Sequence, residues 1–472
     1  MSKLYQKSLV WLRRDLRLHD NTALYQAHLR SEKINLCFVF DTQILDELSD
    51  KKDQRVDFLH RILLDIKDTL KKLQSDIWIL HGDPKTEIPL LAKSIQAEAV
   101  FTNRDYEKYG VLRDENIKKS LHLQNIRFED YKDQVFFEAN EVLTKTSTPY
   151  SVFSPYRNNH LEKLKLSGAG RLNYKVDTIN FEKFSANKMP LLAEIGFEST
   201  NISNLPIALN QSQIQSQIKD FEGRLSNYDQ TRNYPAIKGV SYLSVHNRFG
   251  TISIREIADL CLNNLNSGSN TWLNELIWRD FYFQIIVNFP HVQDGKSFKQ
   301  QYEHLEYENS DNLFEAWKTG NTGFPIVDAA MRQMNQTGYM HNRLRMIVAS
   351  FLTKDLLIDW RWGEKYFKEK LIDYDFSANN GGWQWAASVG CDAQPWFRIF
   401  NPLLQSQKFD PEGKFIKKYI PELESFDKKS VHEPHQKNSD IKYAKPVVEH
   451  SVQRQKALQM FEKINNVAKK QH

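Results

Sequence analysis

Short apolar runs alternate with helical patterns over the first third of the chain, and this alternation constrains the fold more than any other feature. Five runs have the length and composition of buried strands: SLVWL (8–12), INLCFVF (34–40), DIWILHG (76–82), AEAVFT (97–102) and IRFEDY (126–131). Between them lie stretches of helical period, such as QRVDFLHRILLDIKDTLKKL (54–73). Strand and helix repeated in this order predict an α/β domain over residues 1–137, with a parallel sheet flanked by helices.

Ligands of such sheets bind at the carboxyl ends of the strands. The segments FDTQIL (40–45) and NRDYEKYG (103–110) follow predicted strands, so we expect binding residues there. No G-x-G-x-x-G follows the first strand, which argues against an ordinary dinucleotide-binding fold.

The rest of the chain divides into a linker and a helical region. From 138 to 205 the pattern dissolves into Ser, Thr, Pro, Asn and Lys, which predicts an interdomain linker. Residues 206–472 are almost entirely helical in period and form the predicted second domain, which is all-helical. Eight of the ten tryptophans follow residue 271, so this domain holds whatever the aromatic enrichment serves.

Composition excludes several classes of protein. No apolar run among the 472 residues approaches the roughly 20 residues of a membrane span. We expect a soluble, cytoplasmic protein, because the amino terminus lacks the features of a signal peptide and the three cysteines are far apart. The formal charge of +5 permits a polyanionic partner without demanding one. No metal-ligand set, serine–histidine pair or phosphate loop is found, so no metal site is predicted and ordinary hydrolysis lacks its residues.

Three helical stretches carry acids, amides and aromatic residues: WLNELIWRDFYFQIIVNF (272–289), MHNRLRMIVASFL (340–352) and LIDYDFSANNGGWQW (371–385). Side chains that share a face at helical spacing are Glu275, Trp278 and Tyr282 in the first stretch, and Asn342, Arg345 and Met346 in the second. Taken singly, these residues indicate surface ion pairs, core filling and solvated helix caps. Taken together, they indicate the lining of a redox-active aromatic cofactor.

Six longer segments carry a family resemblance: WLRRDLRLHDN (11–21), WLNELIWRDFY (272–282), TGFPIVDAAMRQM (322–334), GYMHNRLRMIVASFLTKDLLIDWRWGEKYF (338–367), DFSANNGGWQWAAS (375–388) and FRIFNPLLQSQKFDPEG (397–413). On these motifs the chain resembles the class I cyclobutane pyrimidine dimer photolyases of the cryptochrome/photolyase family, from residue 8 to about 452. The resemblance implies a lyase for light-dependent DNA repair. Photoexcited reduced FAD would donate an electron to a flipped-out pyrimidine dimer and split it into monomers.

The resemblance assigns one set of residues to a single, non-covalent FAD: Tyr228, Val240, Ser241, Tyr242, Leu243, Ser244, Trp272, Arg345, Asp373, Tyr374, Asp375 and Asn379. Within this set, Asn379 would face the redox-active ring nitrogen, and Arg345 would pair with Asp373. Two members depart from the family pattern, since Val240 stands where many members have threonine and Tyr374 where glycine is usual.

A second set is assigned to the dimer and its DNA: Glu275, Trp278, Tyr282, Asn342, Arg343, Met346, Trp385 and Gln405. Trp278 and Trp385 would form an aromatic wedge on which the dimer packs. Glu275 would hydrogen-bond the bases of the dimer and stabilise its radical anion. Arg343 and Gln405 would lie at the DNA surface.

The electron supply departs from the family pattern. Trp383 and Trp360 match the inner two of three tryptophans that reduce the flavin, but the outermost position is Tyr307. Tyrosine donates an electron only if its phenolic proton also leaves. Trp362 is the alternative outer donor, and the sequence leaves both open.

A second, light-harvesting chromophore is also expected. Tyr109-Gly110 and Gln293-Asp294 stand where folate-binding members hold their pterin, which argues against methenyltetrahydrofolate. The resemblance favours a flavin or deazaflavin antenna held by Arg55, Asp105, Glu107 and Arg248, with an empty pocket as the alternative.

The expected partner is DNA that contains cyclobutane pyrimidine dimers. We expect a monomer without membrane association, of bacterial type and associated with the nucleoid through DNA. A flavin-based blue-light receptor without repair activity is the alternative, although the dimer-contact set has no obvious use in a receptor. A dark electron-transfer flavoprotein would leave the substrate cavity unexplained.

Overall fold

The computed structural model of the chain describes residues 3–186, 188–437 and 441–470. Its contacts divide the chain into two compact units. Unit 1 comprises Met1–Pro149, Pro155–Ser226 and Ser241–Val287. Unit 2 comprises Tyr150–Ser154, Asn227–Val240 and Asn288–His472. The predicted domain boundaries at 137 and 205 stay predictions.

Unit 1 contains a five-stranded parallel sheet in the order β3-β2-β1-β4-β5. Its strands are β1 Tyr5–Leu12, β2 Ser31–Asp41, β3 Ile77–Gly82, β4 Ala99–Asn103 and β5 Arg127–Tyr131. All five apolar runs of the sequence form these strands, which confirms the predicted α/β fold. The central strands β1, β2 and β4 are almost wholly buried, as expected for parallel strands covered on both faces.

Twenty α-helices accompany the sheet in the described residues. Those between the strands are α1 Thr22–Arg30, α2 Thr42–Leu45, α3 Gln54–Lys72, α4 Pro84–Ser94 and α5 Lys108–Leu123. The next are α6 Phe153–Ser167, α7 Gln211–Glu222, α8 Tyr228–Thr231, α9 Ser244–Phe249, α10 Ile254–Asn263 and α11 Ser267–Asn288. The remainder are α12 Asp311–Thr319, α13 Pro325–Thr337, α14 Asn342–Ser350, α15 Trp360–Lys370, α16 Phe376–Ala387, α17 Pro402–Phe409, α18 Lys414–Tyr419, α19 Pro434–Lys437 and α20 His450–Lys470. A π-helical turn, Phe351–Asp355, follows α14 directly.

Side-chain caps fix where the helices after the strands begin. The side chains of Asn21, Asp53 and Asp83 accept hydrogen bonds from backbone N–H groups in the first turns of α1, α3 and α4. Pro84 follows Asp83 at the first helical position, where its missing N–H is not needed. Asp83 and Pro84 together therefore determine where α4 begins.

The segment predicted as a linker, 138–205, is more structured than its composition indicates. It contains α6 and several short 3-10 helices, and it buries apolar side chains such as Tyr156, Phe197 and Ile202. Phe181 makes a parallel bridge to Ile34 of β2. Much of this segment therefore packs within unit 1, and its role as a connection between domains stays a prediction.

A network of buried charges ties together distant parts of unit 1. The carboxylate of Asp133 accepts hydrogen bonds from Arg17 (2.5 Å) and Arg255 (2.8 Å). Thr22 adds bonds from its backbone N–H and its hydroxyl, and Arg255 also pairs with Asp20 at 2.9 Å. Burial alone would raise the pKa of Asp133, but the two guanidinium groups hold it far below the usual range of a carboxyl. The β1–α1 connection, the residues after β5 and α10 thus share one ionic centre.

Gly250 sits close beside this network. It ends α9 with a φ of 64°, and a Cβ at this position would lie 1.9 Å from the carbonyl oxygen of Arg14. The backbone of Gly250 also accepts a hydrogen bond from Arg17 at 2.9 Å. Only glycine satisfies both the left-handed conformation and the close approach.

Unit 2 is built around a large helical core. Asp328, on α13, is fully buried and accepts hydrogen bonds from the N–H and hydroxyl of Thr322, the N–H of Gly323 and the hydroxyl of Tyr443. This arrangement explains the start of the motif TGFPIVDAAMRQM. The aspartate of the motif accepts hydrogen bonds from its threonine and glycine and so fixes the turn that leads into α13. A Cβ on Gly323 would lie 2.3 Å from the backbone of Lys445.

No helix of the described residues is long and apolar enough to cross a membrane.

We predict that Asp133→Asn lowers the free energy of unfolding by about 3–5 kcal/mol, because it leaves two buried guanidinium groups short of their counter-charge. Urea unfolding at neutral pH, followed by circular dichroism, measures this loss. Since the folded-state pKa of Asp133 is depressed, its contribution is present above the unfolded-state pKa of about 3.9 and shrinks as the pH falls below it. The difference in the free energy of unfolding between Asp133→Asn and the wild type should therefore become smaller at acid pH.

Asp68→Asn is the matched control, because the Asp68 side chain is 67% exposed and its pair with Lys71 is long, at 3.7 Å. A pair of this kind contributes about 0–1 kcal/mol. Equal stability of the two variants at neutral pH would contradict the prediction.

Candidate functional site

The residues predicted for an antenna lie partly at the point where the strand order of the sheet reverses. β1 has β2 on one side and β4 on the other, and crevices at such switch points bind ligands. Arg14, after β1, donates to the carboxylate of Glu107 at 2.7 Å and lies 3.8 Å from Asp105. Asp105 and Glu107, both after β4, are thus brought together by an arginine that the sequence reasoning missed.

The charges around Asp105 favour its ionised form. Burial raises the pKa of a carboxyl, but Arg14 and Arg113, with a contribution from Arg248, lower the pKa of Asp105 to about 2. The fourth predicted residue, Arg55, donates instead to Asp53, the cap of α3, at 2.9 Å. Three of the four predicted residues therefore belong to one electrostatic cluster.

Helix α11 carries the unit 1 part of the predicted dimer set. Glu275, Trp278 and Tyr282 are half-buried, whereas the residues of the opposite face are buried. The ring of Trp278 lies 5.5 Å from that of Tyr282 and 5.6 Å from that of Phe281. The indole of Trp278 is thus partly exposed, and its role in binding the dimer stays a prediction.

Trp272, predicted for FAD, begins the same face of α11 but is buried and packs edge-on against Phe221 at 4.6 Å. The turn before α9 holds three further members of the FAD set. Gln217 donates to the carbonyl oxygens of Ser241 (3.3 Å) and Tyr242 (2.8 Å), and Tyr242 has a φ of 58°. Leu243 is buried after it, and Ser244 is exposed as the first residue of α9.

In unit 2 the predicted ion pair of the FAD set is confirmed. Arg345 donates to both oxygens of Asp373, at 2.8 and 2.9 Å, and to the carbonyl of Met340 at 2.9 Å. The side chain of Asp373 is buried, whereas the side chain of Arg345 is 26% exposed. Asp375 caps α16 through the N–H of Ala378.

Asn379, in the first turns of α16, has one end of its amide fixed. Its Nδ2 donates to the backbone carbonyl of Glu364 at 3.1 Å, which leaves the amide oxygen as the end that can face a ligand. Burial raises the pKa of the Glu364 side chain, which accepts a hydrogen bond from Asn380. Tyr228 is buried in α8.

Two members of the FAD set that depart from the family pattern, Val240 and Tyr374, are half-buried.

Trp383 lies in the core of unit 2, on α16. It is 2% exposed, and its ring packs edge-on against Phe367 at 5.0 Å and Trp317 at 6.0 Å. A Cβ at Gly363 would lie 2.1 Å from the indole of Trp383, so the glycine of the α15 segment WRWGEKYF provides the space for the ring. A glycine inside a helix is a sequence signal for such a close approach.

The inner donor Trp360 and the two candidate outer donors differ in their surroundings. Trp360 is fully buried, with the guanidinium of Arg361 4.8 Å from its ring. The hydroxyl of Tyr307 is buried and has no hydrogen-bond partner in the described part of the chain, and burial raises the pKa of Tyr307 far above its usual range. Trp362 is half-buried and packs edge-on against Phe314 at 5.2 Å.

A second aromatic path leads from Trp383 towards Trp362. Trp317 contacts Trp383 and stacks on Phe314 at 5.8 Å, and Phe314 in turn contacts Trp362. The indole N–H of Trp317 donates to the carbonyl of Val348 at 3.1 Å. Sequence reasoning missed Trp317, because its neighbours come from four different helices.

The remaining dimer- and DNA-binding candidates lie on three helices of unit 2. Asn342, Arg343 and Met346 are on α14, Trp385 is on α16, and Gln405 is on α17; Asn342 is exposed and the others are half-buried.

Arg343 is held in place by two residues that the sequence reasoning did not identify. It donates to the side-chain oxygen of Asn233 at 2.9 Å and lies 4.4 Å from the ring of Phe409.

Comparisons with known proteins identify the family of the chain. Two family models match the sequence: DNA photolyase over residues 8–174 and the FAD binding domain of DNA photolyase over residues 272–463. A deoxyribodipyrimidine photo-lyase of Vibrio cholerae is 37% identical to the chain over 465 residues, which cover 96% of this chain and 98% of the relative.

Two solved structures have the same fold. A bacterial class III photolyase from Agrobacterium tumefaciens matches with a TM-score of 0.87 and 30% identity, covering 99% of both chains. An archaeal photolyase from Sulfolobus tokodaii, which contains two FAD molecules, matches with a TM-score of 0.82 and 31% identity over 97% of this chain and all of the other. From these identities over nearly the whole length, the chain belongs to the cryptochrome/photolyase family.

Proposed function

We propose that the protein is a class I deoxyribodipyrimidine photo-lyase, which splits cyclobutane pyrimidine dimers in DNA under light. One observation carries the proposal. On α16, Trp383 is buried in the core while Trp385, two residues later, is half-buried, so one short helix presents one indole to an internal electron path and another to a ligand.

FAD is the cofactor of this reaction, and the donor chemistry of the chain fits it. Unit 2 supplies an amide oxygen at Asn379, carboxylates at Asp373 and Asp375, and a buried indole at Trp383. Uncharged amides suit the ring of a flavin, and carboxylates suit hydroxyl and amine donors. When bound and excited by light in its reduced form, FAD supplies the electron that opens the dimer.

The chain binds and orients the reactants. Asn379 would hydrogen-bond the flavin ring in either protonation state without changing its own charge, and Arg345 holds the carboxylate of Asp373 in a fixed orientation through two hydrogen bonds. Trp278 and Trp385 offer aromatic faces to the flipped-out dimer, as enzymes that act on bases generally require. Glu275 hydrogen-bonds the bases, Asn342 and Met346 contact the dimer, and Arg343 and Gln405 contact the DNA backbone beside it.

An antenna chromophore of flavin or deazaflavin type belongs to the proposal too. The cluster of Asp105, Glu107 and Arg248 lies at the carboxyl edge of the sheet, where ligands of such sheets bind. We place the enzyme in a bacterial cytoplasm, acting as a monomer on the nucleoid.

The blue-light receptor is the weaker alternative. A receptor has no need of Glu275, Trp278, Asn342, Met346 and Trp385 as one set. The structural match is to a protein that is itself named a photolyase, of class III. This match therefore bears on the photolyase class and does not favour a receptor over a repair enzyme.

The electron supply is proposed to run through Trp383 and Trp317 to Trp362. An electron passes from Trp362 to oxidised Trp317, and from Trp317 to oxidised Trp383, with Phe314 bridging the outer gap. Tyr307 is a poor terminal donor, because among the described residues its buried hydroxyl has no acceptor for the proton that must leave with the electron. Arg361, close to the ring of Trp360, disfavours a positive charge on that indole.

The proposed function predicts that the protein repairs cyclobutane pyrimidine dimers under light. FAD-loaded, chemically reduced protein should restore the thymine absorbance of ultraviolet-irradiated oligo(dT) under blue light and leave it unchanged in the dark. Irradiated oligo(dT) without protein is the control. Intact dimers after illumination with reduced protein would refute the proposed function.

The second prediction concerns damage recognition. Trp278→Ala should abolish the preference for dimer-containing over undamaged duplex, because the preference comes from stacking of the flipped-out bases on its indole. Binding to undamaged duplex should persist with its steep salt dependence, which comes from phosphate contacts. Dark titrations of both duplexes at several salt concentrations measure the two effects.

Trp278→Phe is the matched control and should keep part of the preference, since it keeps an aromatic face. If Trp278→Ala instead loses both kinds of binding together with about 3–5 kcal/mol of folding stability, Trp278 is a core residue and its assignment is wrong.

The third prediction concerns the outer electron donor. Trp317→Phe and Trp362→Phe should both slow the bleaching of oxidised FAD under blue light, because each breaks the path to the surface. Tyr307→Phe should bleach at the wild-type rate, and deuterated solvent should not slow the wild type, since no phenolic proton is lost.

After reduction with dithionite, all three variants should repair normally, because repair uses a separate electron transfer between flavin and dimer. Trp383→Phe supplies the baseline without bleaching. Slow bleaching confined to Tyr307→Phe, together with a solvent isotope effect, would show that Tyr307 is the donor.

A further inference from the structure

Lys354 is a buried cation that the proposed reaction does not use. It lies in the π-helical turn after α14 and is 0% exposed. In the described part of the chain no carboxylate forms an ion pair with it. A buried ammonium group without a counter-ion is costly, so the groups that do contact Lys354 have to compensate for the loss of water.

Two groups surround its ammonium. Nζ donates to the hydroxyl of Ser388 at 3.1 Å and lies 3.7 Å from the centre of the Phe461 ring. The Phe461 ring is stacked against Trp396 at 6.1 Å and contacts Tyr302 edge-on at 5.3 Å. A cation over the face of a fixed aromatic ring is stabilised by the ring's quadrupole, more so when both are out of water.

The π-helical turn determines where the lysine points. The N–H of Leu356 bonds to the carbonyl of Phe351 at 3.0 Å, one residue further back than in an α-helix. Asp355, the next residue after Lys354, is fixed by α20, since Gln453 donates to its carbonyl at 2.7 Å and His450 bonds its side chain. The turn is thus held in its unusual conformation by the carboxy-terminal helix.

Ser388, the polar partner of Lys354, terminates α16. It has a left-handed φ of 68°, and its N–H bonds to the carbonyl of Trp385 at 3.2 Å. The last turn of α16 contains no basic residue of its own. The ammonium of Lys354 therefore lies at the carboxyl end of this helix, where the helix dipole favours a positive charge.

We propose that Lys354 is a positioning residue for damage recognition, which fixes the carboxyl end of α16 through Ser388 and thereby holds Trp385 in its binding orientation. This inference rests on the proposed function, since it assigns Trp385 to the dimer. Burial lowers the pKa of Lys354 well below its usual value. The Ser388 hydroxyl, the Phe461 ring and the end of α16 each favour the charged form of this side chain.

The test is Lys354→Met in FAD-loaded protein, which keeps the length of the side chain and removes its donor and charge. Dark binding should show the ratio of affinities for dimer-containing and undamaged duplex falling about tenfold, the equivalent of one hydrogen bond to a charged group. Binding to undamaged duplex should stay unchanged. Hydrogen exchange measured without DNA should become faster at the amides of residues 385–390.

Ser388→Ala removes the same hydrogen bond from the other side with a smaller change in the core. It should produce the same two effects, and the double variant should be little worse than either single one, because both remove one interaction.

Lys67→Met is the matched control. Lys67 is a buried lysine of unit 1, paired with Asp76 at 2.6 Å. Lys67→Met should lower thermal stability. It should alter neither the ratio of affinities for dimer-containing and undamaged duplex nor the hydrogen exchange of residues 385–390.

Unchanged exchange of residues 385–390 in both Lys354→Met and Ser388→Ala would overturn the inference, as would an equal loss of the affinity ratio in Lys67→Met. If the wild type shows no preference for dimer-containing duplex, the proposed function fails. The exchange data then still decide whether Lys354 holds the end of α16.

Discussion

The charge of Asp133, held out of contact with water, is the condition on which the architecture of unit 1 depends. Such a charge is tolerated only when its partners are complete and well oriented. Arg17 comes from the connection after β1, and Arg255 comes from α10, so the carboxylate is paired only when the amino-terminal sheet and this later helix are both in place. The network therefore explains why helices from the middle of the chain belong to the same unit as the sheet. It also holds the β1–α1 connection, which carries Arg14, the residue that contacts Asp105 and Glu107.

The sheet was predictable because its signal is local. Each central strand is buried on both faces, so most residues of the run are apolar and the run stands out from the helical patterns around it. The helical faces of α11 and α14 were predictable for a similar reason, since a period of 3.6 residues separates Trp278 from the buried side. The pair of Arg345 with Asp373 followed from the family resemblance.

Contacts between distant segments could not be predicted in the same way. Nothing in the sequence places Trp317 against Trp383, or Asn233 against Arg343, because such neighbours share no local pattern. The short helices of the segment 138–205 were also missed, since a polar composition hides the few apolar residues that pack. The α16 segment shows both cases: its tryptophans lie about 200° apart around the helix, as the spacing requires, but which indole is buried depends on Gly363 of another helix.

The anchoring of Asp328 has a consequence for how the protein is made. Its carboxylate is satisfied early by Thr322 and Gly323, but its bond to Tyr443 spans 115 residues of sequence. The backbone at Lys445 packs against Gly323, so the start of α13 is completed by a segment that leaves the ribosome well after α13 itself. One acceptor position of the Asp328 carboxylate therefore stays unfilled until residue 443 has been synthesised, and a truncation before that residue leaves the position unfilled in the folded protein.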